Sequence, residues 1–365
     1  MSTEPRAATA VVTPGAHTRF VVAVLRASGA SSADAEVVAE GLLWADLHGR
    51  HTNGLTRLAN TVERLSKGLI VSPAPMAWEA RAPAAHLLDA AHGLGNVAAR
   101  LATLRSVELA RAQGVGLVAV RHSNHFGAAA YFCDLAAEAG CLSFNFTNAF
   151  PKVAAHGGTR PVLGTNPLAF GCPTRSGAPI LVDLSTSAIS GADVRDKTGR
   201  GGRLPLDVAL DAAGHPTDDP AALKTGCLLP AAGPKGFALA LMVEVLSGVL
   251  TGSAVGQQVG SLFYTWDRPV DVGHLFIAVD VERFLPRDVF LSRLEGLLES
   301  LAASPVPEGA EPVRYPGEIR ARSAERHRRE GIPVPRELMA ALERLARDHG
   351  VSVPWPTAGA GAESP

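Results

Sequence analysis

Residues 85–147 read AHLLDAAHGLGNVAARLATLRSVELARAQGVGLVAVRHSNHFGAAAYFCDLAAEAGCLSFNFT. Short apolar runs at 85–91, 115–120 and 141–147 are separated by Ala-rich stretches of helical length at 97–113 and 128–139. Strands and helices alternating in this way predict an α/β or α+β domain. Before it, Pro14 opens a helix carrying Phe20, Val21, Val24 and Leu25 at helical spacing and stopped by Gly29. Ser31 and Ser32 can cap a second helix over 33–47, which Gly49 ends. The loop 48–54, HGRHTNG, is polar and Gly-bounded between two helical stretches, the kind of place where chemistry tends to sit. After the domain's first half, 191–220 is polar and Gly-rich, and its KTGRGGR at 197–203 is expected to form a mobile loop. An apolar run at 237–250 predicts a buried helix, followed by a strand at 275–279, a helix at 286–301 and a last helix from Pro335 to the Gly350 stop.

Composition narrows the function classes. Lys plus Arg number 34 against 35 Asp plus Glu, a net charge of -1, which gives no electrostatic case for nucleic acid or an acidic membrane surface as the main partner. With 47% hydrophobic and 19% charged residues, a 365-residue chain supports about two domains with a sizeable core. The run 237–250 contains Glu244 and falls short of the roughly 18 to 20 residues a membrane span needs. The first 15 residues lack the basic flank and apolar segment of a secretory signal, so a cytoplasmic location is expected. The four cysteines, Cys133, Cys141, Cys172 and Cys227, are then expected as buried free thiols.

Several motifs carry possible chemistry. Gly93-Leu94-Gly95-Asn96-Val97-Ala98 fits the G-x-G-x-x-A dinucleotide fingerprint, but the next strand ends in Arg121-His122-Ser123-Asn124 without the carboxylate that would hold a ribose. It is read as a tight turn starting a helix. Arg121 to Gly127, RHSNHFG, places two imidazoles, a hydroxyl and an amide between a strand and a helix, where a ligand and a near-neutral acid–base group are at home. A zinc site on His122 and His125 would need compact third and fourth ligands, which do not follow, so no metal is expected. Gly164-Thr165-Asn166-Pro167 and Asp183-Leu184-Ser185-Thr186-Ser187 each read in isolation as turns. Gly233-Pro234-Lys235-Gly236 puts a Lys, one of five in the chain, beside glycines at a helix start, which suits an anionic ligand or a simple capping turn equally.

Taken in order, these segments resemble the type II malate/L-lactate dehydrogenases, a family that includes ureidoglycolate and sulfolactate dehydrogenases, diketogulonate reductase and piperideine-2-carboxylate reductase. The matching stretches are Ala45-Asp46-Leu47, 122–129, 164–167, 183–187, Asp218-Asp219-Pro220, Lys235-Gly236 with the helix to Gly248, Pro316-Gly317-Glu318 and Gly331-Ile332. The resemblance covers roughly residues 15 to 350. It implies a mixed α/β fold: a non-Rossmann NAD(P)-binding domain over 71–317, and a helical domain from both chain ends, 15–70 with 318–350. Disordered termini are expected at 1–14 and 351–365. It also implies a homodimer with active sites near the subunit boundary, and hydride transfer between NAD or NADP and C2 of a 2-oxo or 2-hydroxy acid, or of a cyclic imine acid.

Carried over residue by residue, the resemblance puts Arg57 on the substrate carboxylate, where a planar guanidinium fits. It puts Asp193 on an orienting carboxylate, His125 on a histidine that acts in some members and Thr165 on a substrate contact. His122, Asp183, Leu184, Ser185, Lys235, Gly236, Pro316 and Gly317 fall on or near cofactor-contacting segments. One position departs: the family's Ser-His-Gly acid–base pair is Thr52-Asn53-Gly54 here, and an amide cannot deliver a proton at neutral pH. General acid–base help is typically worth about 10²- to 10⁴-fold. His125 is therefore expected to carry the proton with Asn53 orienting the substrate, and His48 and His51 are the other imidazoles in reach of the loop. This change, with the 197–203 loop and Ser190-Gly191-Ala192 ahead of Asp193, points to a specialised substrate. The alternatives are a cyclic ketimine reductase, whose protonated imine needs less proton donation, and a relative that keeps the cofactor segments but has lost hydride transfer.

Overall fold

A computed structural model describes residues 8–199 and 201–355, in two compact units: 1–73 with 318–365, and 74–317. The first unit opens with strand β1 (Ala8–Val12) and helices α1 (Pro14–Ala27), α2 (Ser32–Leu47) and α3 (Leu58–Ser66). Thr13 caps α1 by accepting from the Ala16 N–H, and Ser31 caps α2 through Asp34 N–H, which fixes where each helix begins. Phe20, Val21, Val24 and Leu25 of α1 and Val38 and Leu42 of α2 are buried, as their spacing requires.

The larger unit begins with β2 (Ala77–Ala82), β3 (Ala85–Asp89), α4 (Gly95–Gln113), β4 (Val115–Ser123), α5 (Ala129–Glu138) and β5 (Cys141–Thr147). It continues through β6 (Val153–Ala154), β7 (Pro161–Leu163), β8 (Leu168–Cys172), β9 (Ile180–Leu184) and α6 (Gly191–Gly199). It ends with β10 (Ala209–Leu210), β11 (Cys227–Leu228), α7 (Pro234–Glu244), β12 (Val272–Asp280) and α8 (Arg287–Ala302). The chain then returns to the first unit as α9 (Glu318–Glu330), β13 (Ile332–Pro335) and α10 (Arg336–Asp348).

The main sheet has the order β2-β3-β4-β12-β5-β8-β9, in which only β3 and β4 are parallel. A doubly wound dinucleotide-binding sheet is mostly parallel, so this mixed sheet is a different fold, as the missing ribose carboxylate anticipated. Alternation along β12 sends Leu275 and Ile277 towards Val243 of α7, and Ala278 towards Val107 of α4 and Ala136 of α5. Helices thus cover both faces. A smaller sheet of order β10-β11-β6-β7 carries Val153, Ala209 and Leu228, against which Ile189 and Val194 at the start of α6 pack.

Three expectations are corrected. Ala8–Val12 lie within the terminus expected to be disordered, yet they pair antiparallel with β13, and Val12 is fully buried against the unit. Residues 1–7 fall outside the described residues, as do 356–365, while Trp355 packs on Phe20 at 4.6 Å between ring centroids. The helix at 237–250 buries only one side, because it lies on a sheet: Ala240, Val243, Ser247 and Gly248 are covered, whereas Leu239, Leu241, Met242, Val249 and Leu250 are exposed. In the stretch expected as a mobile loop, residues 197–199 complete α6, and Arg203 pairs with Asp218 at 2.6 Å; Arg200 is outside the described residues. The four cysteines are free and buried.

Candidate active site

Strands β4, β5 and β9 point the same way, since each is antiparallel to β12 or β8. Register sets Ser123 beside Val272, Thr147 beside His274, and Leu168 beside both Phe146 and Leu184. The segments that follow Ser123, Thr147 and Leu184 and precede Leu168 therefore emerge at one edge. His125, Thr165 and Ser185 share it.

Close backbone crossings build this edge, and glycines permit them. A Cβ on Gly95 would lie 2.2 Å from the Asn124 carbonyl oxygen, so Gly93-Leu94-Gly95 lets the start of α4 pass against the loop after β4. Asn124 then donates its amide to the His92 and Gly93 carbonyls, and Asn96 donates to that of Phe126. The loop is stapled to the turn. At its base, His122 Nδ1 lies 3.1 Å from both oxygens of Asp89, and Asp89 Oδ2 also accepts from Arg121 Nε at 3.0 Å. Burial works to raise the Asp89 carboxyl, but the Ala91 N–H, His122 and Arg121 hold it below the usual range. His125 is exposed, and its Nδ1 accepts from the Gly127 N–H at 3.2 Å, which places the proton of the neutral ring on Nε2.

Thr165 is half-buried, and its carbonyl accepts from both the N–H and the hydroxyl of Thr186. The turn it sits in is held by fully buried Asn166, whose amide donates to Glu244 Oε2 at 2.7 Å and to the Ala240 carbonyl. Asn148 donates to the other oxygen of Glu244 at 3.4 Å and accepts from Gly273 N–H. Thr147 continues the chain to His274, 2.8 Å away at Nδ1, and His274 Nε2 lies 2.9 Å from Ser123 Oγ. Polar groups, all buried except half-buried Thr147, thus run without a break from the strand before His125 to the turn of Thr165. Burial pushes His274 down to about 3, so it serves as a neutral connector.

Asp183 and Leu184 end β9, and Ser185 follows, next to the Thr186 that bonds the Thr165 carbonyl. Gly236 brings α7 against them, since a Cβ there would sit 2.2 Å from the Ala231 oxygen and 2.8 Å from that of Thr186. Lys235 is exposed in the first turn of α7. Asp193 is exposed near the start of α6 in a reciprocal cap: Ser190 Oγ donates to its carboxylate at 2.7 Å and accepts its N–H. Pro316 and Gly317 are not brought to this edge. The Pro316 carbonyl accepts from Leu181 N–H, and Gly317, at φ +108°, passes over the Pro179 carbonyl beside the start of β9.

The first unit holds Thr52, Asn53 and Arg57 on two short 3-10 turns, His51–Asn53 and Leu55–Arg57. Asp46, at the end of α2, organises these turns. Its Oδ2 accepts from Leu55 N–H at 2.8 Å and lies 3.0 Å from His17 Nε2, while its Oδ1 lies 2.9 Å from His51 Nδ1. A Cβ on Gly54 would fall 2.1 Å from the Asp46 carboxyl carbon, so only glycine lets the chain wrap it. Burial opposes ionisation of Asp46, but the bonds and charge of His17 and His51 hold its carboxyl below the usual range. His48 is buried, stacked on Trp44 at 3.9 Å and bonded to the Trp44 carbonyl, and burial pushes it down to about 4. It is not available as a proton donor.

The family model for malate/L-lactate dehydrogenase matches residues 12–343. The chain belongs to the malate/L-lactate dehydrogenase family. An L-sulfolactate dehydrogenase of Methanothermobacter thermautotrophicus is 32% identical over 94% of this chain and 98% of its own. A (2R)-3-sulfolactate dehydrogenase (NADP(+)) of Chromohalobacter salexigens is 36% identical over 90% of this chain and 95% of its own. The solved malate dehydrogenase of Pyrococcus horikoshii superposes with a TM-score of 0.89 at 28% identity, covering 96% of this chain and 99% of that one.

Within this family frame, the supporting groups are what sequence reasoning missed: Asp46 and His17, Asp89, and the His274–Asn148–Glu244 chain. Two left a signal. Glu244 is the single carboxylate in an apolar run, and Asp46 ends a helix, where the backbone dipole disfavours a negative charge. The strand beside β4 does carry a carboxylate, Asp89, but it is engaged by Arg121, His122 and the Ala91 N–H.

Proposed function

We propose that the protein is an NAD(P)-dependent oxidoreductase that interconverts a 2-oxo acid and its 2-hydroxy acid, with a specialised side chain on the substrate. The observation that supports this reading is that both segments the resemblance singles out rest on built supports: the His125–Thr165–Ser185 edge on its polar chain, and the 51–57 turns on Asp46. The donor set fits an anionic dinucleotide, because the Lys235 ammonium stands exposed in the first turn of an 11-residue helix whose next residue, Gly236, packs on the Thr186 carbonyl. Lys235, Gly236, His122 and the 183–185 segment would hold the nicotinamide cofactor, which when bound supplies or accepts the hydride at C2.

Arg57 is read as the grip on the substrate carboxylate, Thr165 as a contact to the substrate and Asp193 as an orienting carboxylate, with Pro316 and Gly317 as more distant supports of the cofactor segments. Asn53 and Thr52 hydrogen-bond the substrate but deliver no proton. An imidazole must do that; His125, whose Nδ1 accepts from the Gly127 N–H, is read as the donor that polarises the C2 oxygen through Nε2–H. We also read the protein as a cytoplasmic homodimer. The exposed apolar face of α7 and the turn after it is a natural place for a second copy, and buried thiols suit a reducing compartment. No helix among the described residues is long and apolar enough to cross a membrane.

The test is Arg57→Ala assayed with reduced coenzyme and 2-oxo acids of increasing side-chain size. Loss of the carboxylate clamp is expected to lower kcat/KM by about 10²- to 10³-fold while coenzyme affinity stays the same, since one charged hydrogen-bonded pair is worth roughly 3 to 4 kcal/mol. Unchanged kcat/KM would remove Arg57 from the site.

A further inference from the structure

The loop that lost the family histidine at position 53 carries another imidazole two residues earlier, and that ring has a carboxylate behind it. His51 Nδ1 lies 2.9 Å from Asp46 Oδ1, with its side chain 32% exposed against 4% for Asp46. The other carboxylate oxygen is already engaged by His17, which is fully buried, and by Leu55 N–H. His17 Nδ1 has no hydrogen-bond partner, so its ring bonds Asp46 through Nε2 alone. Anchoring the turn is therefore accomplished on Oδ2, which leaves Oδ1 to His51. Thr56 Oγ closes on the His51 carbonyl at 2.6 Å and Arg57 N–H on that of Gly54, so His51, Asn53 and Arg57 share one compact double turn.

Resting on the reading above, we propose that His51, oriented by Asp46, is the general acid–base residue of this enzyme and takes over the work that Asn53 cannot do. His125 is set up for a different task. Its Nδ1 faces a backbone N–H, an arrangement that suits the neutral ring, and a neutral imidazole donates a hydrogen bond but does not give up its proton. His51 is the reverse case: Asp46 accepts the Nδ1 proton in either charge state and leaves Nε2 as the exchangeable position. In reduction, hydride adds to C2, the carbonyl π pair moves onto oxygen, and the His51 imidazolium gives that oxygen its Nε2 proton, ending as the neutral ring. Oxidation returns the proton to Nε2 as hydride leaves C2. A second titratable ring near His51 is that of His327 of α9, 5.9 Å away between centroids, with its Nδ1 on the Leu47 carbonyl.

The experiment combines His51→Gln with nitrogen-15 NMR of the histidine rings in the unliganded wild-type protein. The His51 ring is expected to show a bonded Nδ1–H and a titrating Nε2, a pattern lost in Asp46→Asn if that variant folds. His51→Gln is expected to bind coenzyme normally but to lose about 10²- to 10⁴-fold in kcat, along with one limb of the pH profile. Adding Asn53→His to His51→Gln is expected to recover part of that loss, which a structural role for His51 does not allow. Wild-type turnover with kcat unchanged in His51→Gln overturns the proposal, as does an Nε2–H tautomer at His51. Absence of wild-type turnover on any 2-oxo acid would instead count against the reaction itself.

Discussion

At the scale of single residues, Gly54 is the constrained position on which the 51–57 turns depend. It touches no substrate in the account above, but its missing side chain is what lets the 51–57 turns close over the Asp46 carboxylate. Gly54→Ala is expected to push Asp46 off its three donors and to cost about 2 to 4 kcal/mol of stability, measured by urea unfolding, because a buried carboxylate would be left underbonded. The departure at Thr52-Asn53 was plain in the sequence, as was the presence of His48 and His51 nearby. Which imidazole is usable was not, because the distinction is one of burial: His48 is stacked under Trp44, and His51 is half open. Likewise His122 was visible, but its partner Asp89 belongs to another strand, 33 residues earlier in the chain.

At the scale of elements, the strand at 141–147 and the helices near 97–113 and 128–139 follow directly from apolar texture, and β5 has those bounds. Sheet order does not follow from texture. The central strand β12 inserts between β4 and β5 although more than 120 residues separate it from β5, and no local signal specifies such a pairing. Helix α9 was missed because it is charged nearly all round, burying only Ala324 and His327. The position of β12 matters for stability because it buries His274. With a folded-state value of about 3 against an ordinary 6.5, this ring binds fewer protons folded than unfolded. Its contribution is present above 6.5 and is lost as the pH falls towards 3. Between about pH 7 and about pH 5 the protein should lose roughly 2 kcal/mol through His274 alone. Unfolding free energies measured across that window should fall more steeply for the wild type than for His274→Asn, and equal slopes would refute the assignment.

At the scale of the whole molecule, the 12–343 match places the chain in the malate/L-lactate dehydrogenase family, and its mixed sheet is the non-Rossmann kind that the resemblance implied. The fold class was legible through ordered motifs rather than through any one of them, since GLGNVA alone pointed to the wrong fold. The supports beneath the edge, from Ser123 through His274 to Asn166, were illegible because they join residues that only the folded sheet brings together. The central claim is that hydride passes to C2 of a 2-oxo acid. It is tested most directly by incubating the protein with reduced nicotinamide coenzymes deuterated at C4, on either face, together with a panel of 2-oxo acids and piperideine-2-carboxylate, and analysing the products by mass spectrometry and NMR. A 2-hydroxy acid carrying one deuterium at C2 is predicted; coenzyme that binds without being consumed, or deuterium appearing only at C2 of the cyclic amino acid, would contradict it.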